Sequence, residues 1–232
     1  MNDKYTWKSE IEFLHHLQKD ESFIFMFSGG KDSGLALSMA LEYGKPAVLL
    51  NCLDKESKES LFHEQKRDVM DAQAKQLNIP IRYLEYKWWI RWDKVVKTYI
   101  EYKEKGVKSV VFGDLNSEGN IDVQIKLCRS VGLSPCFPLA FVPYERLINE
   151  IEKRRIKSII TTINHPAIGS NWLGKVFDRS AYQCFQKYNI DSFGEGGEFH
   201  TTLIDADCFK EPLNYEVKIV DDRKICMSIK PY

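Results

Sequence analysis

The chain has 232 residues, is 44% hydrophobic, and balances 33 basic residues against 33 acidic ones. That is enough apolar material for one large domain or a domain with a smaller appendage, while the neutral total excludes a field that would favour nucleic acid or an anionic membrane. Six cysteines without a Cys-x-x-Cys pair remove the usual zinc-ribbon and iron–sulfur spacing, leaving only ligand sets that folding would assemble.

Glu10 to Leu17 reads as a leading helix, followed by the buried strand Ser22 to Phe27 and a helix from Lys31 to Tyr43 that Gly44 stops ahead of Pro46. Ala47 to Asn51 is the next strand. A helix over Leu61 to Leu77, a strand over Ile81 to Leu84, the aromatic stretch YKWWIRW and a helix over Asp93 to Lys105 follow, then a strand over Ser109 to Asp114. This alternation predicts an α/β fold: a largely parallel sheet with helices on both faces. Helices over Ile121 to Val131 and Tyr144 to Arg155, a strand over Lys157 to Ile163 and a short helix over Ser180 to Tyr188 precede the loop FGEGGEFHT. The tail alternates on both sides of Asp221 and Asp222, which predicts a closing hairpin in a smaller α+β region. A boundary near Cys136 divides the chain into 1–135 and 136–232. The polar start MNDKYTWKSE lacks a basic-then-apolar leader, and no apolar run approaches the ~20 residues that cross a bilayer. A cytoplasmic protein with reduced thiols is expected, most of them small core residues. Trp88, Trp89 and Trp92 read as core or a subunit contact, and a homo-oligomer is compatible with the sequence.

Chemistry concentrates first in Ser28-Gly29-Gly30-Lys31-Asp32-Ser33. At the end of a buried strand, two glycines let backbone N–H groups approach an anion, and the next helix aims its unpaired donors and dipole at the same point. The spacing is neither the G-x-x-x-x-G-K-[ST] loop nor the G-x-G-x-x-G dinucleotide turn. The second concentration is GEGGEFHT, where Glu195, Glu198 and His200 could handle a metal, an ammonium ion or a proton. Thr201 adds a hydroxyl. Gly113 and Asp114 end a strand on the side where open α/β sheets bind ligands, with a helix cap as the alternative for Asp114.

SGGKDS resembles the pyrophosphate loop of the N-type ATP pyrophosphatases. Within that superfamily, Ser60 to Pro80, VFGDLNSEG, WLGK and GEGGEFHTTLID are most similar to diphthine-ammonia ligase and its relatives. The resemblance implies an adenine nucleotide α-hydrolase-like fold and an enzyme that uses ATP and magnesium to adenylate a carboxylate, release pyrophosphate and form an amide with ammonia. Ser28, Gly29, Gly30, Lys31, Asp32 and Ser33 would bind the phosphates, with Asp32 as the metal ligand. Leu50 and Asn51 would meet adenine, and His63 and Asp114 would contact nucleotide. Lys31, Asp32, Glu195, Glu198 and His200 form the implied catalytic set. Partners would be ATP, ammonia and a carboxylate acceptor such as diphthine on an elongation factor. After GDL the family carries a Gln- and Arg-rich helix start, where this chain reads NSEGNIDVQIKLCRS. The alternatives are a tRNA-modifying thiolase or ligase of the same superfamily, or a nucleotide sensor without turnover.

Overall fold

The computed structural model describes residues 17–61, 63–87 and 91–231. The leading helix expected over Glu10 to Leu17 falls outside them apart from Leu17, as do Trp88 and Trp89. Along β1 (Glu21–Met26), Phe23 and Phe25 enter one apolar cluster and Ile24 the other. A strand buried on both faces has no polar side to show, which is why its sequence reads as a continuous apolar run.

Five strands form the parallel sheet in the order β3-β2-β1-β4-β5, with β2 at Gly44–Asp54, β3 at Ile81–Tyr86, β4 at Ser109–Val111 and β5 at Ser134–Cys136. On one face α3 (Trp92–Glu104) and α4 (Glu118–Ser130) contribute Val95, Tyr99, Ile121, Ile125 and Cys128. On the other lie α1 (Lys31–Ala40), α2 (Arg67–Leu77) and α5 (Tyr144–Lys153). That second cluster also takes in Ile159, Ile160, Leu203, Tyr182 and Phe185, so one core joins the two halves of the sequence.

The second half supplies the antiparallel pair β6 (Lys157–Ile163) and β7 (Phe199–Asp205), the helix α6 (Arg179–Gln186), and the hairpin β8 (Tyr215–Ile219) and β9 (Ile225–Ile229). Trp172, Leu173, Gly174 and Lys175 run beside β6, where Ile160 exchanges hydrogen bonds with Gly174 and Lys175 at 2.8 and 2.9 Å.

Three expectations change. No helix begins at Leu61; Leu61 and His63 lie in turns, Ser60 and Lys66 form isolated bridges to Leu53 and Glu59, and α2 starts at Arg67. Gly44 opens β2 rather than stopping α1, because a Cβ there would collide with the Glu21 carbonyl oxygen. Phe199, His200 and Thr201 belong to β7, since the chain leaves the glycine run directly into pairing with β6. Cys52, Cys128 and Cys136 are buried, whereas Cys184, Cys208 and Cys226 are half-buried, and all six are free. Among the described residues no helix is long and apolar enough to cross a membrane.

Candidate active site

The strand order reverses between β1 and β4, and their C-terminal ends flank a crevice of the kind in which open α/β sheets bind ligands. Ser28 to Gly30 leave β1 there and α1 begins at Lys31, with Gly30 as an N-cap lacking a side-chain hydrogen bond. Gly29 has φ +79, and a Cβ on it would lie 2.6 Å from Gln73 Oε1. Both conformation and space therefore require glycine. Gly113 answers from just beyond β4: its Cβ would stand 3.2 Å from the nitrogen and Cα of Ser33, so the segment after β4 meets the first turn of α1 backbone to backbone. Ser33 Oγ accepts the Ser28 N–H at 3.1 Å.

The loop is braced from the second half. Lys31 N–H donates to Thr201 Oγ1 at 3.1 Å, and Leu203 N–H to the Gly29 carbonyl at 2.8 Å. Gln73, fully buried in α2, donates through Nε2 to the carbonyls of Gly29 and Leu203 at 2.9 and 2.8 Å. The Lys31 ammonium lies 5.3, 5.4 and 5.3 Å from the ring centres of Phe177, Phe193 and Phe199. It also donates to the Phe193 carbonyl and, at 2.7 Å, to Asp32 Oδ2. Two of its three donors are thus engaged, and one is left for an anion.

Carboxylates gather opposite. Asp191 Oδ1 accepts the N–H of Phe193 at 2.8 Å and that of Glu195 at 3.3 Å, and Asp191 Oδ2 accepts the Tyr144 hydroxyl at 2.6 Å. Glu195 Oε1 accepts from the backbone of Leu115, Asn116 and Ser117 at 3.4, 3.2 and 3.1 Å, tying the glycine loop to the segment after β4. Burial, followed by the charge of Asp32, pushes Glu195 up to about 7 against those amides. Burial and then Asp32 likewise raise Asp114 to about 6. Asp32 itself is raised by burial in spite of Lys31, and its Oδ1 is buried without a partner. Three mutually repelling carboxylates face the crevice where α1 aims its N-terminus.

Glu198 Oε1 accepts the Asp191 N–H at 3.4 Å, while its Oε2 is buried and unpartnered. His200 meets His63 edge-on, with ring centres 5.7 Å apart. Burial lowers the His200 pKa, with Lys31 acting in the same direction and Glu64 against it. The protein packed about His63, then His200 and Lys31, lowers that imidazole too. His63 nonetheless keeps more than a third of its surface in solvent, so the two neighbours secure the direction and water limits its extent. The Leu50 carbonyl accepts the Phe27 N–H at 2.9 Å, and Asn51 donates to the Phe27 carbonyl, which leaves Asn51 Oδ1 buried and unpartnered. The fold thus brings the 28–33 loop, Asp114, Glu195, Glu198 and His200 to one end of the sheet, with His63 against His200.

Residues 21–135 match the family model of the diphthamide synthase N-terminal domain, and residues 143–228 that of its C-terminal domain. The chain belongs to the diphthamide synthase family. No curated protein matches it. Among solved structures it is similar to the U34-tRNA thiolase NcsA from Methanococcus maripaludis with its [4Fe-4S] cluster, at 13% identity and a TM-score of 0.39 over 62% of this chain and 61% of that one. A predicted subunit of tRNA methyltransferase from Methanocaldococcus jannaschii is similar at 14% identity and a TM-score of 0.41, over 80% of this chain and 97% of that one.

The oxygen donors at the crevice are of the type that suits a hard divalent cation such as magnesium. Asp32 offers an unpartnered oxygen and Asp114 a second carboxylate, but among the described residues no three carboxylate, thiol or imidazole groups form a ready cage. Magnesium is commonly held by one or two carboxylates plus phosphate oxygens. Sequence reasoning missed Gln73 and Asp191, the two side chains that brace the loops. A buried glutamine inside an amphipathic helix reads as solvent-facing, and a single aspartate before a glycine run gives no spacing to notice. A cavity of about 430 Å³ beside Met39, Ala40 and Tyr43 is lined by none of the predicted site residues.

Proposed function

We propose that the chain is an ATP-dependent amide ligase that adenylates a carboxylate and passes the acyl group to ammonia, with diphthine on an elongation factor as the acceptor. The observation that carries this proposal is the junction of a glycine-built anion cradle and a carboxylate–imidazole loop at one strand-end crevice, in a chain of the diphthamide synthase family. Residues 1–135 would bind the nucleotide and 136–232 would present the acceptor side.

The acceptor carboxylate attacks the α-phosphorus, the bond to the β-phosphate oxygen breaks, and pyrophosphate leaves. Ser28, Gly29, Gly30 and Ser33 hold that departing anion through N–H and O–H donors, and Lys31 gives its remaining donor. Asp32, with Asp114 beside it, would hold a magnesium ion, which would supply neutralisation of phosphate charge. Ammonia then attacks the acyl carbon and AMP leaves. Burial keeps His200 neutral, so it can accept the proton released as ammonia becomes the amide nitrogen, while the unpartnered Glu198 oxygen attracts ammonium to the site. The Glu195 tie to residues 115–117 keeps the second-half loop over the crevice and water out.

The test supplies ATP, magnesium, ammonium and diphthine-bearing elongation factor and separates the nucleotide products. AMP and pyrophosphate in proportion to amide are expected. ADP and phosphate alone would overturn the assignment, and saturable ATP binding with neither AMP nor amide formed would favour the sensor.

A further inference from the structure

The closing hairpin ends the fold on an open strand. Every residue of β8 after Tyr215 is exposed, with Val217 at 46% and Ile219 at 73%, and Val220 beyond it at 57%. Its neighbour β9 is anchored: Ile225 and Met227 enter the core, and the Ile163 N–H donates to the Arg223 carbonyl at 2.8 Å where the hairpin meets β6. Which backbone groups line the outer edge of β8 follows from the register. Val220 N–H donates to the Lys224 carbonyl and Lys230 N–H to the Asn214 carbonyl, each at 2.9 Å, and the ladder between them has no bulge. Antiparallel bonding alternates along a strand, so Glu216 and Lys218 also spend their N–H and C=O groups on β9, whereas Tyr215, Val217 and Ile219 turn theirs outward. The side chains of those three share a face with Ile225, Met227 and Ile229, so β8 carries the hairpin's apolar face out into solvent.

We infer that this edge pairs with a second copy of the chain, β8 against β8 in antiparallel order about a two-fold axis at Val217. The sequence Tyr215-Glu216-Val217-Lys218-Ile219 is complementary to its own reverse. Val217 meets Val217, Tyr215 meets Ile219 of the second copy, and Glu216 meets Lys218 of the second copy, the last two contacts each occurring twice. In this register the outward N–H and C=O groups of Tyr215, Val217 and Ile219 oppose one another and can exchange hydrogen bonds. Shifting to either neighbouring register that keeps those groups opposed sets Glu216 against Glu216 or Lys218 against Lys218, and like charges directly opposite repel. The ladder and the apolar face supply attraction, and the charges fix the alignment. Edges are commonly blunted by proline, a bulge or a lysine, and β8 has only the lysine. Its own copy brings a carboxylate to that lysine in step, which a foreign strand has no reason to do. Glu216 already holds Lys230 at 3.1 Å and accepts the Ser228 hydroxyl at 3.5 Å within its own chain, so it would stand between two cations. The pairing consumes both free edges and therefore closes at two copies. It is independent of the proposed ligase chemistry.

One short strand from each copy is well below a standard interface, so the dissociation constant should lie at about 10–100 µM. Sedimentation equilibrium of the full chain from about 1 to about 300 µM reads the mass across that range. The wild type should pass from one chain to two and stop there. Val217→Pro removes an N–H that β9 does not use, which an edge strand tolerates, and should weaken association at least about 10-fold. Glu216→Lys and Lys218→Glu oppose like charges in both symmetric contacts, and each should also weaken it about 10-fold or more. An equimolar mixture of these two variants opposes unlike charges throughout and should dimerise about as well as the wild type, a recovery that a merely loosened hairpin would not give. Circular dichroism checks that each variant is folded; should Val217→Pro or Glu216→Lys not fold, Lys218→Glu decides. A wild type that stays monomeric throughout, leaving the edge to a foreign strand, would overturn the pairing. So would folded variants that associate like the wild type, a mixture no better than its parts, or growth beyond two copies.

Discussion

Lys31 meets three aromatic rings, a carbonyl and a carboxylate before any phosphate arrives, so its replacement acts twice. Lys31→Ala should cut turnover at least ~100-fold by removing charge from the transition state. It should also lower stability by about 3 kcal/mol or more, because the partly buried Asp32 loses its ion-pair partner; urea unfolding measures that share. Asp32→Ala should match it in turnover and also cost stability, because the buried Lys31 ammonium is left with the Phe193 carbonyl and the ring faces alone. Glu198→Gln keeps its shape and the contact to the Asp191 N–H. Nucleotide affinity should stay within a few-fold while single-turnover amide formation falls by roughly 30-fold or more, as for one lost partner of a desolvated charged contact. Equal amide formation in this variant and wild type would remove Glu198 from the ammonia step.

Among the elements, the close passage of the segment after β4 past α1 makes the sharpest demand. Gly113→Ala places a methyl 3.2 Å from Ser33 backbone and 3.3 Å from the Asp32 carbonyl carbon. Backbone cannot swing aside as a side chain does, so the loop must shift by a few tenths of an ångström, and KM for ATP should rise several-fold with stability little altered. The sequence shows this region clearly because two glycines, a lysine and an aspartate at a strand end leave few other uses. It conceals β7: Phe199–Asp205 is buried against β6 on one edge and α1 on one face, so no alternation marks it, and glycines just before it read as loop. β5 is three residues with a central proline, too short for any periodicity. The helix expected from Leu61 begins six residues late because the intervening backbone bonds to Cys52, Lys58 and Ser60 instead. Side-chain braces such as Gln73 and Asp191 depend on contacts across the fold, which no local pattern encodes.

Across the whole molecule, the raised carboxyls set a pH response. Glu195 titrates from an ordinary 4.5 up to about 7 in the folded chain. The native state therefore holds its proton where the unfolded chain has released it, a contribution full below about 4.5 and lost as pH climbs through about 7. Asp114 acts in the same direction up to about 6. His63 and His200, with lowered pKa values, act in the opposite sense. Comparing wild type with Glu195→Gln isolates the first term: the wild type should lose stability relative to the variant between pH 4.5 and 7 in parallel denaturant titrations. A difference that does not vary with pH would remove Glu195 from the set of strained carboxyls.

The hydrogen bond from Lys31 to Thr201 spans 170 positions of sequence. A ribosome adding about 5–20 residues per second leaves the start of α1 outside the exit tunnel for roughly 10–30 s before its brace has been made. During that wait Gly29, Gly30 and the amide of Lys31 belong to a nascent chain with no partner for them, and the three phenylalanines that will enclose the lysine have not been synthesised. The anion cradle is thus finished late in translation, so an incomplete chain has no assembled loop with which to spend ATP.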